Sequence, residues 1–164
     1  MTELDTLFYS LVKSPLGAVL VVGDDEAVHR ISFCRGRNAV ELDPAWVCAT
    51  VKSSGVVCQA AAQISEYFAG ERREFTFPVE PGGTEFQKQV WAELRRIPYG
   101  QTISYGELAR RLGRPSAARA VGAANGRNPI PIAIPCHRVI GANGALVGFA
   151  CGTDLKEALL RLEC

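Results

Sequence analysis

Pro81-Gly82-Gly83-Thr84-Glu85-Phe86-Gln87 divides this 164-residue sequence into two parts of different period. A proline followed by two glycines is the most linker-like composition in the chain. The next four residues open a helix: the Thr84 hydroxyl can take the Gln87 N–H while Gln87 reaches back, the reciprocal pattern of a capping box. Upstream, residues 7–13, 18–22 and 28–33 are short, apolar, β-branched runs. Ser14-Pro15-Leu16-Gly17 and Gly23-Asp24-Asp25-Glu26 separate them with turn chemistry. Asp43-Pro44 starts a turn or a helix, and residues 56–68 set Val56, Val57, Ala60, Ile64, Tyr67 and Phe68 near one helical face before Gly70 stops it. Residues 75–79 read as one more strand. The expected fold class is α+β: a small N-terminal β-rich α/β domain over 1–83, then a helical-type C-terminal domain over 84–164.

Downstream of the divide the period is helical. Phe86, Val90, Trp91 and Leu94 form an i, i+4, i+5, i+8 stripe, and Pro98 ends that helix. Ser104-Tyr105-Gly106-Glu107 reads as a second capping box, opening a short helix with Leu108, Ala109 and Leu112 inside and Gly113 as its stop. Pro115 suits the start of a third helix running to Asn125-Gly126. Two short helices joined by a tight Gly/Pro turn describe a helix-turn-helix. From Ser116 to Ala124 the second of them is Ala and Gly apart from Ser116, Arg119 and Val121. Small side chains let a backbone approach DNA closely, and tight packing on a neighbouring helix selects the same alanines.

Net charge is +1, which by itself does not point to nucleic acid. The balance is uneven. Residues 1–84 hold 7 basic and 11 acidic side chains, and residues 85–164 hold 11 basic and 6 acidic. Between Leu94 and Asn143 stand eight arginines and one acid, Glu107. Guanidinium groups suit bidentate phosphate contacts, so this stretch is either an anion-facing surface or simply a basic helical one. With 48% hydrophobic residues the chain can build a core, and no apolar run approaches the roughly 20 residues a membrane helix needs. The acidic Met1-Thr2-Glu3-Leu4-Asp5 shows no signal peptide, so a soluble cytoplasmic protein is expected, nucleoid-associated if prokaryotic. Six cysteines without a C-x-x-C pair, and only two histidines, argue for reduced thiols and no metal.

The chemistry concentrates in Asn128-Pro129-Ile130-Pro131-Ile132-Ala133-Ile134-Pro135-Cys136-His137-Arg138-Val139. Three prolines, Pro129, Pro131 and Pro135, exclude a helix interior or a central strand, so a buried, rigid, extended segment is expected to deliver Cys136 to a fixed place. Cationic or proton-accepting neighbours favour a thiolate. Adjacent residues in an extended chain point apart, however, so Cys136 is either an activated nucleophile reached through a water or turn, or an inert buried thiol.

Ile134-Pro135-Cys136-His137-Arg138-Val139 resembles, over all six positions, the active-site signature of the O6-alkylguanine-DNA alkyltransferases, single-turnover DNA repair proteins. Phe86, Val90-Trp91, Leu94 and Ile97-Pro98-Tyr99-Gly100 resemble that family's F-x-x-x-V-W-x-x-L-x-x-I-P-x-G entry. Ser104-Tyr105 and Ala118-Arg119-Ala120-Val121-Gly122 resemble its helix-turn-helix, Asn128-Pro129 stands eight residues before the cysteine, and Glu163 lies where the family has a carboxylate. The resemblance covers Thr84 to Glu163; upstream it includes only the Ser14-Pro15-Leu16-Gly17 hairpin.

The resemblance implies stoichiometric, irreversible transfer of an alkyl group from O6-alkylguanine, and also O4-alkylthymine, in double-stranded DNA to Cys136, by a monomer without a cofactor. Glu163 would orient His137, which through a water would take the Cys136 proton. Tyr105 would donate to the leaving base and contact a phosphate, while Asn128 would brace the turn. The carbonyls of Cys136 and Val139 would accept from the guanine amine. The target base must be flipped out. The helix carrying Ala118, Gly122 and Ala123 would lie in the minor groove, with Arg119 in the stack in place of the flipped base and Arg127 nearby. Phe149, Ala150 and Cys151 would line the alkyl pocket with Val139. Three departures stand out: no Cys or His precedes Val28 to hold a zinc, Cys151 is unusual for its place, and Arg127 replaces a small residue. Two other readings remain: a non-reactive damage sensor, which would lack the cysteine, and a helix-turn-helix regulator, which would need an effector domain. A cysteine hydrolase would need an oxyanion hole that no motif supplies.

Overall fold

The computed structural model describes residues 6–34, 42–49, 55–146 and 152–164. Two compact units divide the chain, Met1–Pro81 and Gly82–Cys164. In the first, strands β1 (Phe8–Val12), β2 (Val19–Gly23), β3 (Val28–Phe33) and β4 (Val47–Cys48) make one sheet in the order β3-β2-β1-β4. β1–β2 and β2–β3 are antiparallel, and the two-residue β4 joins β1 in parallel. β2 is buried along its whole length, which explains why its sequence is an unbroken apolar run instead of an alternating one. At its end the β2–β3 turn comes so close that a Cβ on Gly23 would lie 2.5 Å from the Ala27 carbonyl oxygen, and the register shifts there. Helix α1 (Gly55–Phe68) buries Val57, Ala60, Ile64, Tyr67 and Phe68. The Asp43-Pro44 segment forms a turn, with Trp46 N–H donating to the Asp43 carbonyl.

Residues 75–79 do not form the strand expected of them. They contribute a single bridge, Val28 to Val79, in which Val28 N–H donates to the Pro78 carbonyl and Glu80 N–H to the Val28 carbonyl. Pro78 has no N–H to extend a ladder. The Thr76 N–H is taken at 2.9 Å by Gln63 on α1, and Phe75 packs against Tyr67. The segment is thus held to β3 by one backbone bridge and to α1 by the Gln63 side chain.

His29 adds a pH-dependent clasp to this unit. Nε2 lies 2.6 Å from Asp24 Oδ2, and Nδ1 lies 3.0 Å from the Glu80 carbonyl oxygen. Both partners are acceptors, so the imidazolium, with two N–H groups, serves both. Burial alone would lower the His29 pKa, but the hydrogen bonds to Asp24 and Glu80 outweigh it and raise it; Asp24 is lowered in turn, the His29 and turn N–H bonds overcoming its own burial. A raised histidine pKa stabilises below the unfolded value of about 6.5, and the gain is lost as pH rises through the folded value. The melting-temperature difference between the parent and His29→Ala should therefore shrink as pH rises above neutrality. A difference that grew would contradict the clasp.

The second unit opens with α2 (Glu85–Leu94), capped by Thr84 with both capping-box hydrogen bonds present, and buries Val90, Trp91 and Leu94. Next come β5 (Ile103–Ser104), α3 (Tyr105–Arg111), α4 (Ala118–Gly126), β6 (Val139–Ile140) and α5 (Thr153–Leu162). β5 and β6 pair in parallel, Ile103 with Val139 and Ser104 with Ile140, a ladder added to the helical pattern read from the sequence. It sets the start of α3 beside the chain that leaves Cys136. Ser104 caps α3 by accepting from Glu107 N–H, but the box is not reciprocal: the Glu107 carboxylate turns to Arg110 and Arg111 instead. Charge-assisted bonds one helical turn away outcompete a neutral backbone N–H. α4 starts at Ala118, not at Pro115, because Arg114 and Ala117 close a turn around Pro115-Ser116. Trp91 Nε1 donates to the Ala124 carbonyl at 2.8 Å, pinning α4 to α2.

Candidate active site

The chain into Cys136 is buried and proline-rich, yet it is folded into turns, not extended. Ile132 has φ of 75°, and Ala133 N–H donates to the Pro131 carbonyl, a γ-turn of the strained positive-φ kind. A β-branched residue held there costs about 1–3 kcal/mol. Pro135, at φ −81° and ψ 67°, makes a second, inverse γ-turn through Cys136 N–H to the Ile134 carbonyl. Asn128 spans the loop: Nδ2 donates to the Ile134 carbonyl at 2.7 Å, and Oδ1 accepts from Ile130 N–H at 2.9 Å. Cys136, His137 and Arg138 then form one turn of 3-10 helix, all three buried.

Glu163, at the C-terminal end of α5, anchors this turn. His137 Nε2 lies 2.6 Å from Oε2, while Arg138 donates Nε to Oε1 at 2.8 Å and Nη2 to Oε2 at 3.1 Å. The remaining Arg138 arm reaches the Ile97 carbonyl at 2.7 Å, and the guanidinium lies over the Tyr99 ring. Gly100 N–H also faces Glu163, at 3.4 Å. Gly100 has φ of 78°, and a Cβ there would press on the Glu163 carbonyl oxygen at 3.0 Å, so the Ile97-Pro98-Tyr99-Gly100 loop needs its glycine to close on α5. The carboxylate can only accept, so the histidine proton sits on Nε2 and the lone pair on Nδ1. Among the described residues Nδ1 has no hydrogen-bond partner. Burial lowers the His137 pKa, with Arg138 and Lys156 assisting against the opposing pull of Glu163. The ring is therefore a neutral base with one open lone pair. Arg138 was quoted in the sequence motif without a role; its side chain is internal, so it does not belong to the basic surface.

Tyr105 and Lys156 complete the surroundings. The Lys156 side chain is fully buried, with Nζ 5.7 Å from the centre of the Tyr105 ring. Burial pushes its pKa down to about 8, opposed by attraction to Cys136. Sequence reasoning missed Lys156, although a lysine beside Leu155 in the apolar stripe of a helix is a visible anomaly. A cation at that place favours the thiolate. Lys156→Met should slow carbamidomethylation of Cys136 by iodoacetamide roughly fivefold at about pH 7.5. An unchanged rate would remove the electrostatic role. Tyr105 is shifted upward by burial, with a hydrogen bond from Asn125 pulling the other way.

On α4, Arg119 and Ala123 are exposed and Ala118 and Gly122 half-buried, while Arg127 follows the helix, also exposed. A Cβ on Gly122 would meet the Tyr105 ring at 3.6 Å, so the ring packs directly on this helix. Val139 is fully buried behind the 3-10 turn. Phe149, Ala150 and Cys151 lie outside the described residues. Among the described residues no three His, Cys, Asp or Glu side chains gather as a metal set, and no helix is long and apolar enough to cross a membrane.

The model of the 6-O-methylguanine DNA methyltransferase DNA-binding domain matches residues 85–164, and that of the same family's ribonuclease-like domain matches residues 7–81. The methylated-DNA–protein-cysteine methyltransferase of Methanosarcina acetivorans is 48% identical over 157 residues, 96% of this chain and 98% of that protein. The chain belongs to the 6-O-methylguanine DNA methyltransferase family. A constitutive methyltransferase of the family from Bacillus subtilis is 41% identical over 95% of this chain and 94% of its own. Among solved methyltransferases, the O6-methylguanine methyltransferase of Mycobacterium tuberculosis superposes with a TM-score of 0.83 at 42% identity, over 96% of this chain and 93% of that one. A structure titled as that organism's OGT in complex with DNA matches with the same TM-score and identity, over 95% of this chain and 92% of that one. The α+β fold read from the sequence is thus the methyltransferase fold.

Proposed function

We propose that this chain repairs DNA by direct reversal, taking the methyl group from O6-methylguanine onto Cys136, once per molecule. The observation that carries the reading is the buried Cys136-His137-Arg138 turn, with His137 held by Glu163 at 2.6 Å, in a chain of this family. His137 Nδ1 receives the thiol proton through a water. The Cys136 sulfur then attacks the methyl carbon as the carbon–O6 bond breaks. Its electron pair leaves on the guanine, which Tyr105 helps to protonate. The carbonyls of Cys136 and Val139 accept from the guanine amine, and Asn128 keeps the turn in place. The product is a thioether, which no group in the site can hydrolyse, so the protein is consumed.

A base inside a duplex hides its O6 substituent, so the nucleotide is flipped out, with Arg119 filling the stack. Ala118, Gly122 and Ala123 give α4 a low surface for the minor groove, and Arg127 reaches phosphate. O4-alkylthymine presents a similar carbon and is accepted by the same chemistry. Duplex DNA as substrate places the protein in the cytoplasm or nucleoid. The sensor and regulator readings are disfavoured by the presence of Cys136 and by relatives named as methyltransferases over nearly the whole chain. Incubation with a duplex carrying one O6-methylguanine, followed by intact-mass measurement, should show a gain of one methylene per chain and guanine restored in the DNA. Tight binding without a mass change would favour the sensor.

A further inference from the structure

We infer that Asn125, on α4, is a positioning residue that aligns the nucleophile turn and the Tyr105 hydroxyl through a single amide nitrogen. Its side chain is 1% exposed, on the face of α4 opposite the exposed Arg119 and Ala123. Asn125 Nδ2 donates to the Cys136 carbonyl oxygen at 3.3 Å. The same side chain hydrogen-bonds Tyr105, whose ring lies over Gly122, one turn earlier on the helix. Asn125 Oδ1 has no hydrogen-bond partner among the described residues, so both contacts run through the nitrogen, which carries two N–H donors.

The direction of those bonds has a chemical consequence. When the Tyr105 oxygen accepts from Asn125, its own proton is directed away from α4. Tyr105 is then presented as a donor, the role a leaving guanine requires. The same donation favours the phenolate and offsets part of the effect of burial on the hydroxyl. The second N–H holds the Cys136 carbonyl, so the nucleophile's backbone and the acid are aligned from the helix proposed to contact DNA. Asn128 braces the loop before Cys136, whereas Asn125 reaches the cysteine itself.

The inference rests on the proposed methyl transfer and on Tyr105 as donor, and a double-mutant cycle separates it from both. Single-turnover methyl transfer from an O6-methylguanine duplex is measured for the parent, Asn125→Ala, Tyr105→Phe and the double variant. DNA affinity and melting temperature are followed in parallel. Asn125→Ala should slow transfer about tenfold or more with DNA affinity within twofold of the parent. In the Tyr105→Phe background the same change should cost no more than about threefold, because most of its effect acts through the hydroxyl. The alkaline limb of the rate profile should also move upward in Asn125→Ala. Asn125→Asp, which keeps the shape and removes both donors, should behave alike if the alanine variant does not fold. Full additivity of the two substitutions, or a parental rate in Asn125→Ala, overturns the inference. If neither Asn125 variant folds, the residue is a structural anchor and the inference fails. Absence of transfer by the parent protein would instead refute the proposed function.

Discussion

Glu163→Gln should slow methyl transfer by about two orders of magnitude or more and destabilise the protein by about 3–5 kcal/mol. The substitution preserves shape and removes the charge. Four donors converge on this carboxylate: His137 Nε2, two nitrogens of Arg138 and the Gly100 N–H. A glutamine offers one acceptor oxygen and points an NH2 at donors. Arg138, buried and over the Tyr99 ring, is left without its counter-charge, which is the costly way to break a buried pair. His137 loses the acceptor that keeps its proton on Nε2, so its Nδ1 lone pair is no longer guaranteed. Denaturant melts and single-turnover rates check the two effects separately. A variant within twofold of the parent rate would show that the tautomer is set elsewhere.

Arg119→Ala should split two substrates. Transfer from O6-methylguanine in a duplex is expected to fall by one to two orders of magnitude, because filling the stack offsets an unstacking cost of a few kcal/mol. Reaction with a free O6-alkylguanine base should stay within about twofold, since no stack has to be opened. Arg119 is exposed on α4, far enough from the buried core that its removal should leave the fold unchanged. Equal losses on both substrates would remove the wedge role.

Local chemistry was legible in the sequence where the determinant and its consequence lie within a few residues. Thr84 and Gln87 specify the start of α2, and both predicted hydrogen bonds form. The apolar runs of β1, β2 and β3 locate those strands. Residues 75–79 misled because their fate depends on Gln63, more than ten positions away, which takes the Thr76 N–H. The turns before Cys136 were hidden for another reason: a β-branched residue at φ 75° violates local preference, and only the packed surroundings hold it. Glu163 entered through the family pattern, whereas its bonds to Arg138 and to the Ile97–Gly100 loop are tertiary and have no period to betray them. Asn125 was missed because it looks like an ordinary helical residue until its burial is known.

The central claim, that Cys136 accepts the methyl group, is tested most directly by peptide mapping after reaction with a duplex carrying O6-methylguanine. The methyl group should appear on the peptide containing Cys136 and on no other, and Cys136→Ala should remain unmodified while still binding the duplex. Methyl on Cys151 instead, or a Cys136→Ala variant that still accepts it, would contradict the account.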